Sequence, residues 1–516
     1  MSETVSASRP NILLITSDQQ HYSTLAAVND RIRTPALDRL CAEGTRFDRA
    51  YCPNPTCTPT RASIVTGMYP SHHGAWSLGT KLFEDVPTVG DALRGAGYFT
   101  ALVGKAHLQP LVRRYGMESI ECQPLLRDLD YWRRMHGPWY GFEHVEIARM
   151  HADESHVGQH YAIWMEENGL DNWRDYFRPW PPEPAETDSR TEYFIGDNRH
   201  WALPGEYHYS RWTAERTVAQ IQRATDEGRP FFCWVSFHDP HPPYLVPEPW
   251  ASMYDPDEMV PGTLAEGEHE LNAIHFRKTQ EPDYDWWARA RGGEAIHGGH
   301  PQRREPAELR KDMAAYYGMV SLMDQHIGGI LTALDRLGLS DDTIVIFTTD
   351  HGHFLGQHGL TAKAIHHYED LLRLPFLVRW PGEVPPGGVS TAIQNLVDLA
   401  PTFLAAAGRE VPGVMQGVSQ LDAWRGGAPA RRGSITENHH GTYNFHMRSY
   451  VNERYKITVY RDGDDGELFD LVDDPHERRN LWHEPDAVVL KSRMLHEFLQ
   501  AQLRCEPMRM PRIAGA

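Results

Sequence analysis

The sequence predicts an α/β fold in which a large, mostly parallel sheet is sandwiched by helices. Continuous apolar runs fit strands that are buried on both faces, and segments with helical spacing of apolar residues lie between them. This alternation is typical of a parallel sheet covered by helices on both sides. The predicted strands span residues 11–18, 98–103, 230–237 and 343–349. The predicted helices span residues 34–43, 88–96, 212–227 and 309–337.

Side chains that can bind metals or anions end or directly follow each of these four strands. They are Asp18, Lys105, His107, His238, Asp350 and His351. Because ligands of open α/β sheets bind beyond the carboxyl ends of the strands, we expect these residues to meet at one edge of the sheet. The sequence therefore predicts a single polar site there.

The remaining segments suggest two insertions and a second, smaller unit. Stretches rich in Pro, aromatic and charged residues at about 111–210 and 245–308 are too long for ordinary loops, and we interpret them as lids or subunit contacts around the site. Near the C-terminus, two strand-like runs flank an Asp/Gly turn, and a helix is predicted at about 487–503. We therefore divide the chain into a catalytic domain, 1–420, and a small antiparallel α+β subdomain, 421–516.

Composition limits the partners and the compartment. A net charge of −19 argues against binding to nucleic acid or an anionic membrane, so positive charge for an anionic substrate must be concentrated within the site. No apolar segment approaches the ~20 residues that span a bilayer, and the N-terminus does not resemble a signal peptide. The six cysteines include no CxxC pair and fit free thiols in a reducing compartment. We expect a cytoplasmic protein, and the aromatic insertions suggest a homo-oligomer, a dimer or tetramer.

The most informative motif opens another predicted helix. It begins at Cys57, has Pro59 at its centre, ends at Arg61, and is followed by Gly67 and Tyr69. A helix N-terminus suits an anion, and it lowers the pKa of a cysteine placed there. Three residues separate the cysteine from the arginine, whereas the tyrosine-phosphatase loop needs five. A buried free cysteine is the structural alternative.

This motif, with the residues that follow the strands, resembles the type I sulfatases of the alkaline phosphatase superfamily over residues 10 to about 482. The resemblance implies an alkaline-phosphatase-like fold and an arylsulfatase-like sulfuric ester hydrolase. In that family a formylglycine-generating enzyme oxidises the motif cysteine, here Cys57, to formylglycine. One hydroxyl of the hydrated aldehyde attacks the sulfur of a small anionic sulfate ester. The alcohol leaves, and collapse of the hemiacetal then releases sulfate.

The resemblance also implies roles for the residues that surround the nucleophile. Lys105 and Lys363 would bind sulfate oxygens, and Arg61 would orient the nucleophile. His107 would be the base for hemiacetal collapse or a contact of residue 57. His238 would protonate or bind the leaving group. His241 could share that role, although we favour a structural turn for it.

One divalent metal ion is implied as well. Its ligands would be Asp18, Cys57, Asp350 and His351, with Gln19 as a possible further ligand. Many sulfatases have Asp at the position of Gln19 and Asn at the position of His351. Calcium prefers oxygen ligands, whereas manganese accepts mixed ligation, so both Ca²⁺ and Mn²⁺ are candidates.

Three other functions stay open. Phosphonate monoester hydrolases also differ from most sulfatases at the positions of Gln19 and His351, and they use the same formylglycine. A phosphonate monoester hydrolase or phosphodiesterase is therefore the nearest alternative. Those enzymes have Tyr and Thr in place of Lys105 and His107, which favours the sulfatase. A noncatalytic anion- or metal-binding protein and a thiol-dependent phosphatase would both retain an unmodified Cys57.

Overall fold

The computed structural model of the protein describes most of the chain, and the architecture below refers to those residues. The described residues are 9–111, 118–149, 157–177, 199–280, 305–363, 365–440 and 445–506. The strands are β1 Asn11–Ser17, β2 Thr45–Phe47, β3 Ala50–Tyr51, β4 Phe99–Gly104, β5 His144–Ile147, β6 Phe231–Ser236, β7 Thr343–Thr349, β8 Phe354–Leu355, β9 Thr361–Ala362, β10 Arg373–Leu374, β11 Leu377–Arg379, β12 Gly388–Ser390, β13 Gln394–Asn395, β14 Ser434–His440, β15 Phe445–Val451, β16 Tyr455–Tyr460 and β17 Gly466–Asp470. The helices are α1 Pro35–Glu43, α2 Cys57–Thr66, α3 Pro70–His73, α4 Val89–Gly95, α5 Leu129–Trp132, α6 Gln159–Glu167, α7 Tyr209–Asp226, α8 Ile274–Lys278, α9 Pro306–Arg336, α10 Glu369–Leu372, α11 Leu399–Ala406, α12 Leu421–Trp424 and α13 Val488–Arg504.

The main sheet has eight strands in the order β12-β2-β11-β7-β1-β6-β4-β5. The five strands from β7 to β5 are parallel to one another, and β11 is antiparallel to both of its neighbours. The four predicted strands are β1, β4, β6 and β7, and every residue in them is buried. Their continuous apolar character follows from this position, because helices cover both faces of the sheet. The predicted α/β class is therefore confirmed.

Alternate residues of β1 pack into two separate hydrophobic cores. Ile12 and Leu14 belong to the core shared with α2, α4 and α11, whereas Leu13 and Ile15 belong to the core shared with α1, α7 and α9. Successive side chains of a strand point to opposite faces, so this division places helices on both sides of the sheet. In the described ranges, every helix is too short or too polar to cross a bilayer.

Two helices begin earlier than the apolar spacing predicts, and both starts have a local cause. Nδ1 of His208 accepts a hydrogen bond from the backbone N–H of Ser210, so α7 starts at Tyr209. Pro306 occupies the first turn of α9, where its missing N–H and restricted φ suit a helix start. The residues at the N-terminus therefore start each helix before its amphipathic part begins.

Part of the first predicted insertion belongs to the main sheet. Strand β5 pairs in parallel with β4 and forms one edge of the sheet, which the sequence did not indicate because β5 is only four residues long. Beyond it lies a separate aromatic core that includes Tyr161, Trp173, Trp201 and Trp212. The interpretation as lids or subunit contacts stays a prediction, and residues 112–117, 150–156, 178–198 and 281–304 of the two insertions lie outside the described residues.

The C-terminal part forms the predicted antiparallel subdomain. Strands β14 to β17 form a four-stranded antiparallel sheet in sequential order, and α13 packs on it through Met494 and Phe498. By contrast, Trp424 of α12 is part of the core of the large domain. The polypeptide therefore leaves the large domain after α12 and enters the small sheet at β14.

A buried ionic network joins the two units. Lys456 of β16 is fully buried, and its Nζ lies 2.5 Å from Glu477 Oε1 and 3.2 Å from Glu369 Oε1. The hydroxyl of Tyr51 donates to Glu369 Oε2 at 3.0 Å. Burial raises the pKa of Glu477 to about 7, although Lys456 opposes that shift. The lysine therefore neutralises carboxylates that would otherwise lose their hydration without compensation.

Replacing Lys456 with methionine is expected to destabilise the protein by roughly 3–5 kcal/mol, because it leaves buried carboxylates without their cation. Denaturant unfolding measures the loss. The matched control is Lys311→Met, which removes a half-exposed ion pair with Glu308 worth about 0–1 kcal/mol. Equal losses in the two variants would show that the buried network does not stabilise the junction.

Candidate active site

Four buried side chains at the edge of the main sheet form a compact donor cluster. One ligand atom from each of Asp18, Cys57, Asp350 and His351 lies within 4.8 Å of the others. Asp18 and Asp350 directly follow β1 and β7, which are neighbours in the sheet, and Cys57 is the first residue of α2. The sheet order therefore brings together residues that are far apart in the sequence.

The donor atoms of this cluster suit a divalent cation. The carbonyl of Gly352 accepts a hydrogen bond from Nδ1 of His351 at 3.0 Å, so Nε2 carries the lone pair. That Nε2 lies 3.2 Å from Cys57 Sγ, on the side of the carboxylates. Two carboxylates, an imidazole nitrogen and residue 57 thus present acceptor atoms to the same point, which is the arrangement a metal ion needs.

Gln19 adds a further buried acceptor beside the cluster. Its backbone N–H donates to Asp350 Oδ1 at 3.0 Å, and its side-chain nitrogen lies 2.8 Å from Nδ1 of His353. Its Oε1 is buried and has no hydrogen-bond partner among the described residues. This orphaned oxygen is consistent with the predicted additional ligand.

Arg61 holds the two carboxylates of the cluster in place. Its Nε donates to Asp350 Oδ2 at 2.9 Å, and its Nη2 lies 3.4 Å from Asp18 Oδ2. Its Nη1 donates to the carbonyl of Lys105 and to Ser236 Oγ at 2.8 and 2.7 Å. One turn of α2 separates Arg61 from Cys57, so a single helix places the candidate nucleophile and this clamp on the same site.

Two ammonium groups flank residue 57. Lys105 contacts Asp18 Oδ2, and its Nζ lies 4.0 Å from Cys57 Sγ. Nζ of Lys363 lies 3.1 Å from the same sulfur. Burial and the Asp18 carboxylate act to raise the pKa of the Cys57 thiol, but the two lysines outweigh them and lower it to about 7. The position therefore favours a negatively charged group.

His241 belongs to this group, although we favoured a structural turn for it over a share in the role of His238. Its Nε2 lies 3.1 Å from Lys363 Nζ, and its Nδ1 donates to the carbonyl of Pro242 at 2.6 Å. His351 Nε2 lies 3.4 Å from the same ammonium group. Lys363 thus has three acceptors within reach, namely Cys57 Sγ and the two imidazole nitrogens. Chain spacing gave no signal for choosing His241 over His238.

His238 faces a different neighbourhood. The carbonyl of Ala148 accepts from its Nε2 at 2.9 Å, and its Nδ1 has no partner in the described part of the chain. Burial lowers the pKa of His238 to about 3. The ring is therefore neutral near pH 7 and has its only N–H engaged by a backbone carbonyl.

The side chain of His107 contacts Arg149, a residue that the sequence did not single out. Arg149 Nη2 donates to His107 Nε2 at 2.7 Å. Because arginine can only donate, Nδ1 of the neutral imidazole carries the proton. Burial and the positive charge of Arg149 keep the pKa of His107 well below its usual range. The ring therefore offers an N–H donor, which favours the predicted contact role over the predicted base.

The architecture matches that of known enzymes. The crystal structure of the phosphonate monoester hydrolase of Agrobacterium radiobacter superposes with a TM-score of 0.77 and 24% identity, covering 98% of each chain. The protein therefore has an alkaline-phosphatase-like fold. The family model Sulfatase matches residues 10–409, and the model N-sulphoglucosamine sulphohydrolase, C-terminal, matches residues 356–504. The chain belongs to the sulfatase family of hydrolases.

The similarity to two curated relatives covers nearly the whole length of each chain. The multifunctional alkaline phosphatase superfamily protein PehA of Trinickia caryophylli is 28% identical, with 93% of each chain covered. An arylsulfatase of Clostridium perfringens is 27% identical, covering 92% of this chain and 90% of its own. The similarity therefore includes both the large domain and the C-terminal subdomain.

Proposed function

We propose that the protein hydrolyses small anionic sulfate esters in the manner of an arylsulfatase, with residue 57 as the nucleophile after oxidation of Cys57 to formylglycine. The position of Cys57 Sγ supports this proposal, because it lies inside the donor cluster, 3.1 Å from Lys363 Nζ and 3.2 Å from His351 Nε2. A formylglycine-generating enzyme is the implied maturation partner. Its product supplies a hydrated aldehyde, whose hydroxyl is a nucleophile that can be regenerated.

Asp18, Asp350, His351 and residue 57 are the proposed ligands of one divalent cation, with Gln19 as a further ligand. Such an ion lowers the pKa of a coordinated hydroxyl and stabilises negative charge on a bound oxyanion. An imidazole beside two carboxylates favours Mn²⁺ over Ca²⁺, because calcium prefers oxygen donors. Elemental analysis of the purified protein distinguishes the two ions.

The basic side chains of this site are proposed to orient and neutralise the sulfate group. Lys105 and Lys363 place ammonium groups on two sides of residue 57, where they stabilise negative charge that develops on the oxyanion. Arg61 keeps Asp18 and Asp350 oriented through its hydrogen bonds. This preorganisation means that the side chains do not need to rearrange during the reaction.

Lys363 and His241 are proposed to deliver the proton that the departing alcohol needs. Their contact at 3.1 Å places an ammonium group and an imidazole next to each other beside the nucleophile. His238 is less suited to this role, because its N–H is bonded to Ala148 and its pKa of about 3 keeps the ring deprotonated near neutral pH. This assignment replaces our sequence-based choice of His238 as the general acid.

Phosphonate monoester or phosphodiester hydrolysis is the second candidate. Gln19 and His351 favour it, since the sequence resembles the phosphonate monoester hydrolases at both positions. Lys105 and His107 favour sulfate esters. A tetrahedral phosphonate ester would meet the same charged groups as a sulfate ester, so some activity towards both is expected.

Two substrates with the same leaving group test the proposal, an aryl sulfate and an aryl phosphonate monoester. The quantity to compare is the ratio of their kcat/KM values. Protein matured with a formylglycine-generating enzyme is expected to prefer the sulfate ester by about tenfold or more, because two lysines are placed for it. A large preference for the phosphonate would establish the second candidate instead. Absence of turnover with both, in protein shown by mass spectrometry to carry formylglycine, would reject both.

A further inference from the structure

Arg149 carries a buried positive charge that the proposed mechanism does not use. It follows β5 by two residues and is 1% exposed. Its Nη2 donates to His107 Nε2, but its Nε and Nη1 are buried without hydrogen-bond partners in the described part of the chain. Buried donors are nearly always paired, so unpaired N–H groups on a guanidinium indicate a binding partner.

The contrast with Arg61 shows that burial alone does not explain why nitrogens of Arg149 lack hydrogen-bond partners. Arg61 is equally buried, yet its three nitrogens bind two carboxylates, a backbone carbonyl and a hydroxyl. That arrangement is a closed structural clamp. Arg149 instead has one neutral imidazole as a partner and several N–H groups left over.

The described neighbours of Arg149 do not supply the missing acceptors. Glu121 acts on it electrostatically, but the Glu121 oxygens accept the backbone N–H groups of His107 and Gln109, each at 2.8 Å. Burial raises the pKa of the Glu121 carboxyl, although Arg149 opposes that shift. His107 contributes no negative charge and presents its own buried Nδ1–H without a described partner. Donors thus outnumber acceptors here.

With a divalent cation bound, the charges around residue 57 would exceed what a simple sulfate ester can balance. The buried basic residues are Arg61, Lys105, Arg149 and Lys363. The buried acidic residues that face them are Asp18, Glu121 and Asp350. A divalent cation would add to this positive excess, whereas a sulfate monoester brings a single negative charge. A substrate with a second negative charge fits the site better.

Arg149 lies beside the sulfate position rather than in it. Cys57 and Asp18 influence it electrostatically, but its hydrogen bond among the described residues goes to His107 instead. Lys105 and Lys363, in contrast, contact the sulfur directly. A group bound by Arg149 would therefore belong to the alcohol part of the ester.

We propose that Arg149 binds a second oxyanion on the alcohol part of the substrate, so that the preferred substrates are sulfate esters bearing an additional carboxylate or sulfate group. This inference rests on the proposed sulfatase function. His107 Nδ1–H provides a further donor for the same oxyanion. Charge-assisted hydrogen bonds from a guanidinium suit both of these anionic groups.

A binding experiment tests the subsite without turnover. The probes are benzenesulfonate, 4-sulfobenzoate and benzene-1,4-disulfonate, titrated calorimetrically into metal-loaded Cys57→Ala protein with and without Arg149→Met. With Arg149 present, at least one dianion is expected to bind about tenfold more tightly than the monoanion, as a charge-assisted pair predicts. The better dianion identifies carboxylate or sulfate as the second group. Equal affinities for all three probes would overturn the proposal.

Kinetics of matched esters provide the second arm. For 4-carboxyphenyl sulfate and 4-carbamoylphenyl sulfate, Arg149→Met is expected to reduce the anionic-to-neutral ratio of kcat/KM by about tenfold, because intrinsic reactivities cancel in the comparison. Arg149→Lys should retain part of the preference, and Arg133→Met controls for loss of one exposed positive charge. Equal losses for both esters would contradict a second-anion subsite.

Thermal stability separates binding from a structural role. Arg149→Met removes a buried cation whose Nε and Nη1 lack a described hydrogen-bond partner, so it should leave the melting temperature unchanged or raise it. A marked decrease, together with equal losses for both esters, would assign Arg149 to the fold and overturn the proposal. If no sulfate ester is hydrolysed but the dianion preference persists in calorimetry, the anion subsite stands and the proposed sulfatase function fails.

Discussion

Replacing Cys57 with alanine is expected to abolish hydrolysis of aryl sulfates while the protein remains folded. Alanine cannot be converted to formylglycine and provides no nucleophile, so kcat should fall on the order of 10⁴- to 10⁶-fold, as for other enzymes that lose their nucleophile. The backbone of α2 and the clamp formed by Arg61 do not depend on the sulfur. Steady-state kinetics with 4-nitrophenyl sulfate and a circular dichroism melt measure the two parts of the prediction.

A second buried cysteine provides the matched control. Cys52 is fully buried, and its sulfur lies 3.8 Å from the carbonyl oxygen of Leu371. Cys52→Ala should retain activity and the formylglycine mass, in which a carbonyl oxygen replaces the thiol and one hydrogen. Normal sulfatase activity in Cys57→Ala would contradict the assignment of the nucleophile.

Loss of either partner in the Lys363–His241 pair is expected to reduce kcat/KM by about 10²- to 10³-fold. Lys363→Met removes an ammonium group that stabilises developing charge, and His241→Ala removes its neighbour in proton delivery. Because a poor leaving group needs more help from a proton, the reduction should be larger for phenyl sulfate than for 4-nitrophenyl sulfate. Kinetics of both variants with both esters measure this dependence.

His238→Ala distinguishes the two histidines. If the pair acts as proposed, the effect of His238→Ala should not depend on the leaving group, because its N–H is already bonded to Ala148. If the loss in kcat/KM depended on the leaving group in His238→Ala but not in His241→Ala, proton delivery would be assigned to His238. Circular dichroism melts of both variants exclude unfolding as the cause of the losses.

Local signals were sufficient for the strands and for the motif. The apolar runs that form β1, β4, β6 and β7 are continuous because both faces of each strand are buried, so the central sheet could be predicted from short stretches of sequence. The polar residues that follow them could be assigned to one edge by the general rule for parallel strands. Cys57 and Arg61 lie within one helical turn, and their spacing is itself a local property.

These local signals did not predict which groups would form hydrogen bonds with one another. His238 and His241 are three residues apart, yet one bonds to Ala148 and the other lies against Lys363. Arg149 is placed beside His107 because the short strand β5 pairs with β4, and four residues of mixed character do not predict that pairing. Tautomers and orphaned donors are set by such contacts, which join residues that are distant in the chain.

The sequence by itself determined the fold class, which depends on periodicity within single elements, whereas its resemblance to the sulfatases supplied the predicted nucleophile and the roles of the residues around it. Only the tertiary structure decided which imidazole accompanies Lys363, which nitrogen of His351 faces the donor cluster, and that Arg149 is buried without enough acceptors among the described residues. The physical reason is that strand order and packing bring these groups together, and the resulting hydrogen bonds and charges determine what each can donate or accept.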